Sequence, residues 1–191
     1  MKTVVITGSA RGLGFNMARF FREYGYNVVI SDLREENLIK AKEELEKRVS
    51  IGRIVYKVCN VSKLEELQQL MSFAIAEFNS VDIWINNAGV NQPQKAIWEL
   101  SESEINTIID VDLKGAIYGS KVAMEEMSKV HSGAIYNIEG YGSNDAHMLG
   151  LNMYGTSKRA VTYLTESLAQ EAEERHTGVI VRQTKPRNND Y

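Results

Sequence analysis

The sequence predicts an α/β fold in which six parallel strands form one doubly wound sheet with helices on both faces. Two observations predict it. Short β-branched runs alternate with amphipathic segments of ten residues or more along the whole chain. The first of those runs ends in a glycine-rich turn that opens a helix. Parallel strands joined by helices need crossovers, and right-handed crossovers leave a Rossmann-type sheet as the leading topology.

Each element has its own signal. Thr3-Val4-Val5-Ile6-Thr7 reads as a buried strand ending at Gly8. Leu13, Met17, Phe20, Phe21 and Tyr24 recur at helical spacing, and Gly25 marks the stop. Val28 to Ile30 is the second strand, and Leu38, Ala41, Leu45 and Val49 stripe the second helix. Ile54 to Val58 is the third strand. Ser62, with Glu65 three residues on, predicts a capping box opening the third helix. Val81 to Ile85 is strand four. Ser101 and Glu104 predict a second capping box, on a helix continuing to about Val130. Ala134 to Ile138 is strand five, Asn152 to about Arg175 a helix, and Val179 to Val181 strand six. No repeat or proline-rich linker interrupts the 191 residues, so the chain reads as a single domain, 1–191.

Composition narrows the function. At 43% hydrophobic and 25% charged residues, the chain is an ordinary globular one and not a disordered or low-complexity segment. The 22 basic and 25 acidic residues give a net charge of -3, which argues against bulk attraction to nucleic acid or anionic lipid. The lone Cys59 cannot form an internal disulfide and falls in an apolar run, so it is expected in the core. His131, His147 and His176 lack metal-ligand spacing and read as surface or loop residues; no metal is expected. No apolar stretch approaches the ~20 residues that cross a bilayer, and Met1-Lys2-Thr3 runs directly into the first strand. A cytoplasmic protein is the expectation.

The turn Thr7-Gly8-Ser9-Ala10-Arg11-Gly12-Leu13-Gly14 sits between a strand and a helix. Its glycines permit a tight turn, close backbone approach to a phosphate and close helix–strand packing. The helix start offers free N–H groups and the positive end of its dipole. Gly8, Ser9, Arg11, Gly12, Leu13 and Gly14 are therefore candidate cofactor contacts. Asp32, followed by Leu33, lies just after strand two, where a carboxylate can accept hydrogen bonds from an adenosine ribose. It would repel a 2′-phosphate, which favours NAD over NADP, whereas Arg11 and Arg34 could reach such a phosphate. Asn60 and Val61 follow strand three. Both are candidate cofactor contacts. Asn86-Asn87-Ala88-Gly89 follows strand four, at the end of the sheet where ligands bind. There Asn87 can tie neighbouring strands together, and Gly89 leaves room beside a cofactor.

Tyr154 and Lys158 are four residues apart on one helix and share a face. A phenol titrates near ~10 in water and is a poor base at neutral pH, but a fixed ammonium within reach stabilises the phenolate. Such a phenol can protonate a carbonyl oxygen as hydride arrives, or remove a proton in reverse.

With the Thr7–Gly14 turn, the Asn86–Gly89 run and Tyr154-Gly155-Thr156-Ser157-Lys158 in this order, the chain resembles a short-chain dehydrogenase/reductase from Thr3 to about Pro186. Within that family, Asn137-Ile138-Glu139-Gly140-Tyr141-Gly142-Ser143 is similar to a segment of the chlorophyll(ide) b reductase branch. The resemblance implies hydride transfer between NAD (NADP less favoured) and a small-molecule alcohol or carbonyl. It implies Tyr154 as acid/base, and Lys158 as its partner and as a holder of the nicotinamide ribose; at Asn60, where the family often has an aspartate, it implies the amide oxygen as acceptor for the adenine amine. It also implies a homodimer or homotetramer, built through the segments Glu104–Val130 and Asn152–Arg175.

The sequence departs from the family pattern at three places. Asp112, in Val111-Asp112-Leu113-Lys114-Gly115, occupies the position of a catalytic asparagine. An aspartate there can hold a water near Lys158 but lacks the amide's donors. Gly140 stands where a substrate-orienting serine is expected, leaving Ser143 as the replacement candidate and Tyr141 as the second. The family continues past strand six into a Pro-Gly turn, a substrate loop and a seventh strand. Here strand six runs into Lys185-Pro186-Arg187 and a polar tail, so the chain is expected to be C-terminally short. The alternative reading is a truncated, non-catalytic NAD(P)-binding protein.

Overall fold

The computed structural model describes residues 1–47, 50–140, 142–143, 147 and 149–184; Val49, Tyr141 and residues 185–191 lie outside them. Strands β1 (Thr3–Thr7), β2 (Asn27–Asp32), β3 (Ile54–Val58), β4 (Ile83–Asn86), β5 (Gly133–Ile138) and β6 (Val179–Thr184) alternate with helices. The helices are α1 (Gly12–Glu23), α2 (Glu35–Glu46), α3 (Leu64–Phe78), α4 (Glu102–Ile108), α5 (Gly115–Met127) and α6 (Asn152–Glu174). All six strands are parallel, in the order β3-β2-β1-β4-β5-β6. The order reverses between β1 and β4, and a ligand crevice opens at such a point.

Strand alternation divides the core in two. Val5, Val29, Trp84, Ile135 and Val181 face α3, α5 and α6. Val4, Ile6, Val28, Ile30 and Ile85 face α1 and α2. Burial on both faces is what the uninterrupted apolar runs demand. Cys59 is buried as expected, and burial pushes its thiol up to about 12, so it stays protonated. The three histidines are exposed.

Three elements differ from expectation. Helix α1 buries Gly14, Ala18 and Arg22, while Phe20 and Tyr24 are exposed and pack on each other at 4.5 Å. The reason is close packing at the helix start: a Cβ on Gly14 would collide with the Gly8 carbonyl and Asn87, and this contact sets the rotation of the helix. Arg22 is then satisfied inside, donating to the carbonyls of Leu45 (2.9 Å) and Gly52 (2.8 Å). Ser62 does not cap α3. Its N–H and hydroxyl both donate to the Asn60 side-chain oxygen, and Glu66, not Glu65, accepts from the Asn60 N–H at 2.7 Å. The helix begins after Lys63. The predicted Ser101 helix does start with its capping box, Ser101 accepting from the Glu104 N–H and Glu104 from the Ser101 N–H. It is not one α-helix, however: Ile109–Lys114 is a π-turn between α4 and α5. A π-turn admits one extra residue per turn and marks functional sites more often than chance.

Beneath the crevice a buried polar network joins four elements. Asn86 on β4 accepts from the Trp84 indole N–H (2.8 Å) and donates to Asn137 on β5 (2.8 Å) and Ser120 on α5 (3.1 Å). Asn137 in turn donates to Thr165 on α6 at 2.9 Å. Asn86→Leu strands the indole N–H and removes a donor from Asn137. It should cost about 2–4 kcal/mol of unfolding free energy, read from the shift in urea midpoint. A midpoint unchanged from the native protein would contradict this account of the network.

Candidate active site

The carboxyl ends of β1, β2, β4 and β5, with the starts of α1 and α6, enclose a cleft of about 590 Å³. At one end the Gly8–Gly14 turn passes into α1. Arg11 is the N-cap but makes no side-chain cap bond, so the first backbone N–H groups of α1 keep no such partner. Gly12 has φ +58°, and a Cβ there would meet nothing within 4 Å, so the turn has room for a ligand to lie against its backbone. Free N–H groups, a helix dipole and an open glycine fit the pyrophosphate of a dinucleotide.

Of the predicted cofactor residues, Gly8, Arg11, Gly12, Leu13, Gly14, Asp32, Leu33, Asn60, Val61, Asn87, Ala88 and Gly89 line this cleft. Ser9 does not. Its buried hydroxyl donates to the Ile6 carbonyl (2.7 Å) and accepts from the Ser31 N–H (2.9 Å), holding β1 to β2. Asn87 ties strands as expected, its amide donating to the carbonyls of Thr7 and Gly8, both at 2.9 Å. Asn60 requires a correction. Its amide oxygen already accepts two bonds from Ser62, so the group it has left for adenine is its NH2, a donor.

At the other end stand Tyr154 and Lys158 from the first turns of α6. The Lys158 ammonium donates to the Ile138 carbonyl at 3.2 Å and lies 5.6 Å from the centre of the Tyr154 ring. Lys158 is only 7% exposed, and burial pushes its ammonium below the usual lysine value while the Asp112 carboxylate opposes this. Gly140 explains how the phenol fits: a Cβ there would collide with the Tyr154 hydroxyl and crowd Lys158 Cε at 3.0 Å. The position where the family pattern has serine is thus the seat of the phenol.

Ser143 and Asp112 are not on the cleft wall. The Ser143 hydroxyl donates to the Glu139 carboxylate at 2.9 Å, so it is spent on a neighbour and not offered to a substrate. Glu139 itself lines the cleft and escaped the sequence reading; its place directly after strand five, at the ligand end of the sheet, was the available signal. Asp112 sits behind Gly89 and Val90. One carboxylate oxygen accepts the Val90 N–H at 2.7 Å, and the other is buried without a hydrogen-bond partner among the described residues. The π-turn carries it into the interior, where it is 2% exposed. Burial raises its carboxyl to about 6, against the opposing charge of Lys158 and the Val90 bond.

The raised value has a definite sign. The native state binds the Asp112 proton more tightly than the unfolded chain, so the stabilisation is present at low pH and lost as pH rises through about 6. Asp112→Asn removes that loss. Between pH 4 and 7 the stability of the variant relative to the native protein should improve by up to ~3 kcal/mol, measured by urea unfolding. Parallel pH–stability curves for the two proteins would show that Asp112 titrates normally.

Comparisons with known proteins agree with this fold. Over 194 residues the chain is 33% identical to the probable chlorophyll(ide) b reductase NYC1, chloroplastic, of Arabidopsis thaliana, a match covering 93% of this chain and 39% of that protein. It is 31% identical to the diacetyl reductase [(S)-acetoin forming] of Staphylococcus epidermidis, covering 89% of this chain and 65% of that one. The chain thus spans about two-fifths to two-thirds of the length of these relatives. Among solved structures, a short chain dehydrogenase/reductase from Burkholderia phymatum in complex with NAD superposes with TM-score 0.91 at 25% identity, covering 97% of this chain and 65% of that one. The short chain dehydrogenase family model matches residues 2–188. This chain belongs to the short-chain dehydrogenase/reductase family, oxidoreductases that bind NAD or NADP.

Proposed function

We propose that this chain interconverts a small-molecule alcohol and the corresponding carbonyl compound, with Tyr154 as general acid/base and NAD(H) preferred over NADP(H). One observation carries the reading: the open glycine turn, Asp32, Tyr154 and a buried Lys158 all face one cleft. When bound, a nicotinamide supplies or accepts the hydride. In reduction, the Tyr154 hydroxyl gives its proton to the carbonyl oxygen as the carbon gains hydride; in oxidation it takes the proton back. The Lys158 ammonium favours the phenolate that is left. Gly140 lets the phenol stand against the end of β5, and Gly89 lets the Asp112 carboxylate pack behind the opposite wall, where a Cβ would lie 3.4 Å from it.

The cofactor preference rests on Asp32. One of its carboxylate oxygens accepts the Leu33 N–H at 2.8 Å, which fixes the side chain at the end of β2. A carboxylate held there bonds ribose hydroxyls and repels a 2′-phosphate. Arg11 and Arg34 share that end of the cleft and soften the discrimination. The reading includes pairing of subunits through α5 and α6, where Ile117 and Tyr163 are exposed. A second reading, dinucleotide binding without turnover, is favoured by one observation: the Ser143 hydroxyl is engaged by Glu139 and Gly140 offers none.

Turnover separates the two readings. Tyr154→Phe should lower kcat by roughly 10²–10⁴-fold across a panel of ketones, aldehydes and vicinal diketones, with NADH affinity within about twofold. Binding of NADH with no turnover of any panel member would favour the second reading. Asp32→Ala should weaken NAD binding by about tenfold and narrow the gap to NADP, read by fluorescence titration. Tighter binding of NADP than NAD by the native chain would refute the preference.

A further inference from the structure

The helix that carries Tyr154 is not capped by its own sequence. Its N-cap residue is Leu151, which has no side-chain acceptor. In the usual arrangement an N-cap side chain accepts from the third helical N–H, which in α6 is that of Tyr154. That N–H is satisfied from 62 residues away: it donates to the Gln92 side-chain oxygen at 3.0 Å. The other end of the same amide donates to the Gly150 carbonyl at 2.8 Å. Gln92 is 5% exposed, and it belongs to the loop that leaves β4 through Asn87, Ala88 and Gly89. One buried side chain therefore clamps both sides of the α6 start and joins it to the cleft wall opposite.

We propose that Gln92 is a positioning residue for Tyr154, acting as the N-cap of α6 in trans and fixing the phenol against the loop after β4. The inference rests on the Tyr154 reading above. Gln92 touches the Tyr154 backbone and not the reacting atoms, so its loss displaces the phenol while the glycine turn and Asp32, at the far end of the cleft, are untouched. A displaced acid/base lowers kcat more than it changes cofactor binding.

The test compares the native chain with Gln92→Met, which keeps the length but loses both bonds, and Gln92→Glu, which at neutral pH keeps the acceptor for the Tyr154 N–H. Hydrogen exchange needs no substrate: in Gln92→Met the Tyr154 amide should exchange roughly tenfold faster, with α3 and α5 amides unchanged, as expected for one lost local hydrogen bond. Gln92→Glu should restore most of that protection. On any panel carbonyl the native chain reduces, Gln92→Met should lose about tenfold or more in kcat with NADH affinity within about twofold. Unchanged Tyr154 exchange in Gln92→Met overturns the inference, as does native kcat despite faster exchange. If Tyr154→Phe is fully active, the acid/base reading fails instead, and the exchange experiment still decides whether Gln92 caps the helix.

Discussion

The crevice depends on one set of hydrogen bonds between the ends of β1 and β4. The Thr7 hydroxyl donates to the Ile85 carbonyl and accepts from the N–H groups of Asn87 and Ala88. The Asn87 amide donates back to the carbonyls of Thr7 and Gly8. Helices leave these two strands toward opposite faces, so at this point the sheet has no crossover to close it. Without side-chain bonds, the carbonyls and N–H groups at the strand ends would lack partners at the floor of an open cleft. Asn87 and Thr7 satisfy them and hold the glycine turn in register with the wall that faces it. The glycine turn and the wall that faces it are thus parts of one rigid surface.

The Tyr154–Lys158 end of the cleft is held against an energetic cost. A buried ammonium is unfavourable unless paired, and Lys158 is compensated by the Ile138 carbonyl and by the charge of Asp112. Asp112 is itself costly, since one of its oxygens is buried without a partner among the described residues. The π-turn, the raised carboxyl and the lowered ammonium lie together beside the cleft. Perturbed charges concentrate where chemistry needs them more often than where only stability is at stake. The polar network of Asn86, Asn137, Ser120 and Thr165 lies just below and ties β4, β5, α5 and α6 into a rigid base.

Much of this was legible in the sequence, because the signals were local. The doubly wound parallel sheet follows from alternation and handedness, whereas the order β3-β2-β1-β4-β5-β6 is set by packing. The glycine turn, Asp32, Asn87, Tyr154 and Lys158 were all readable because spacing along one element decides where they point. The misses share a different cause. The rotation of α1 is set by contact between Gly14 and the neighbouring turn, which outweighs the apolar stripe through Phe20 and Tyr24. At Ser62 the Asn60 side chain takes both donors, so a capping-box pattern forms a turn instead. The Ile109–Lys114 π-turn leaves no periodic trace. Ser143 to Glu139 and Gln92 to Tyr154 are specific side-chain bonds set by how loops pack, and hydrophobic patterning carries no record of them.

The measurement that bears most directly on the account is a crystal structure of the chain with NADH bound. The account predicts the pyrophosphate against the backbone N–H groups at the start of α1, the adenosine ribose on Asp32, and the reactive nicotinamide carbon beside the Tyr154 hydroxyl. A nicotinamide lying away from Tyr154 and Lys158, with the phosphates off the glycine turn, would contradict it.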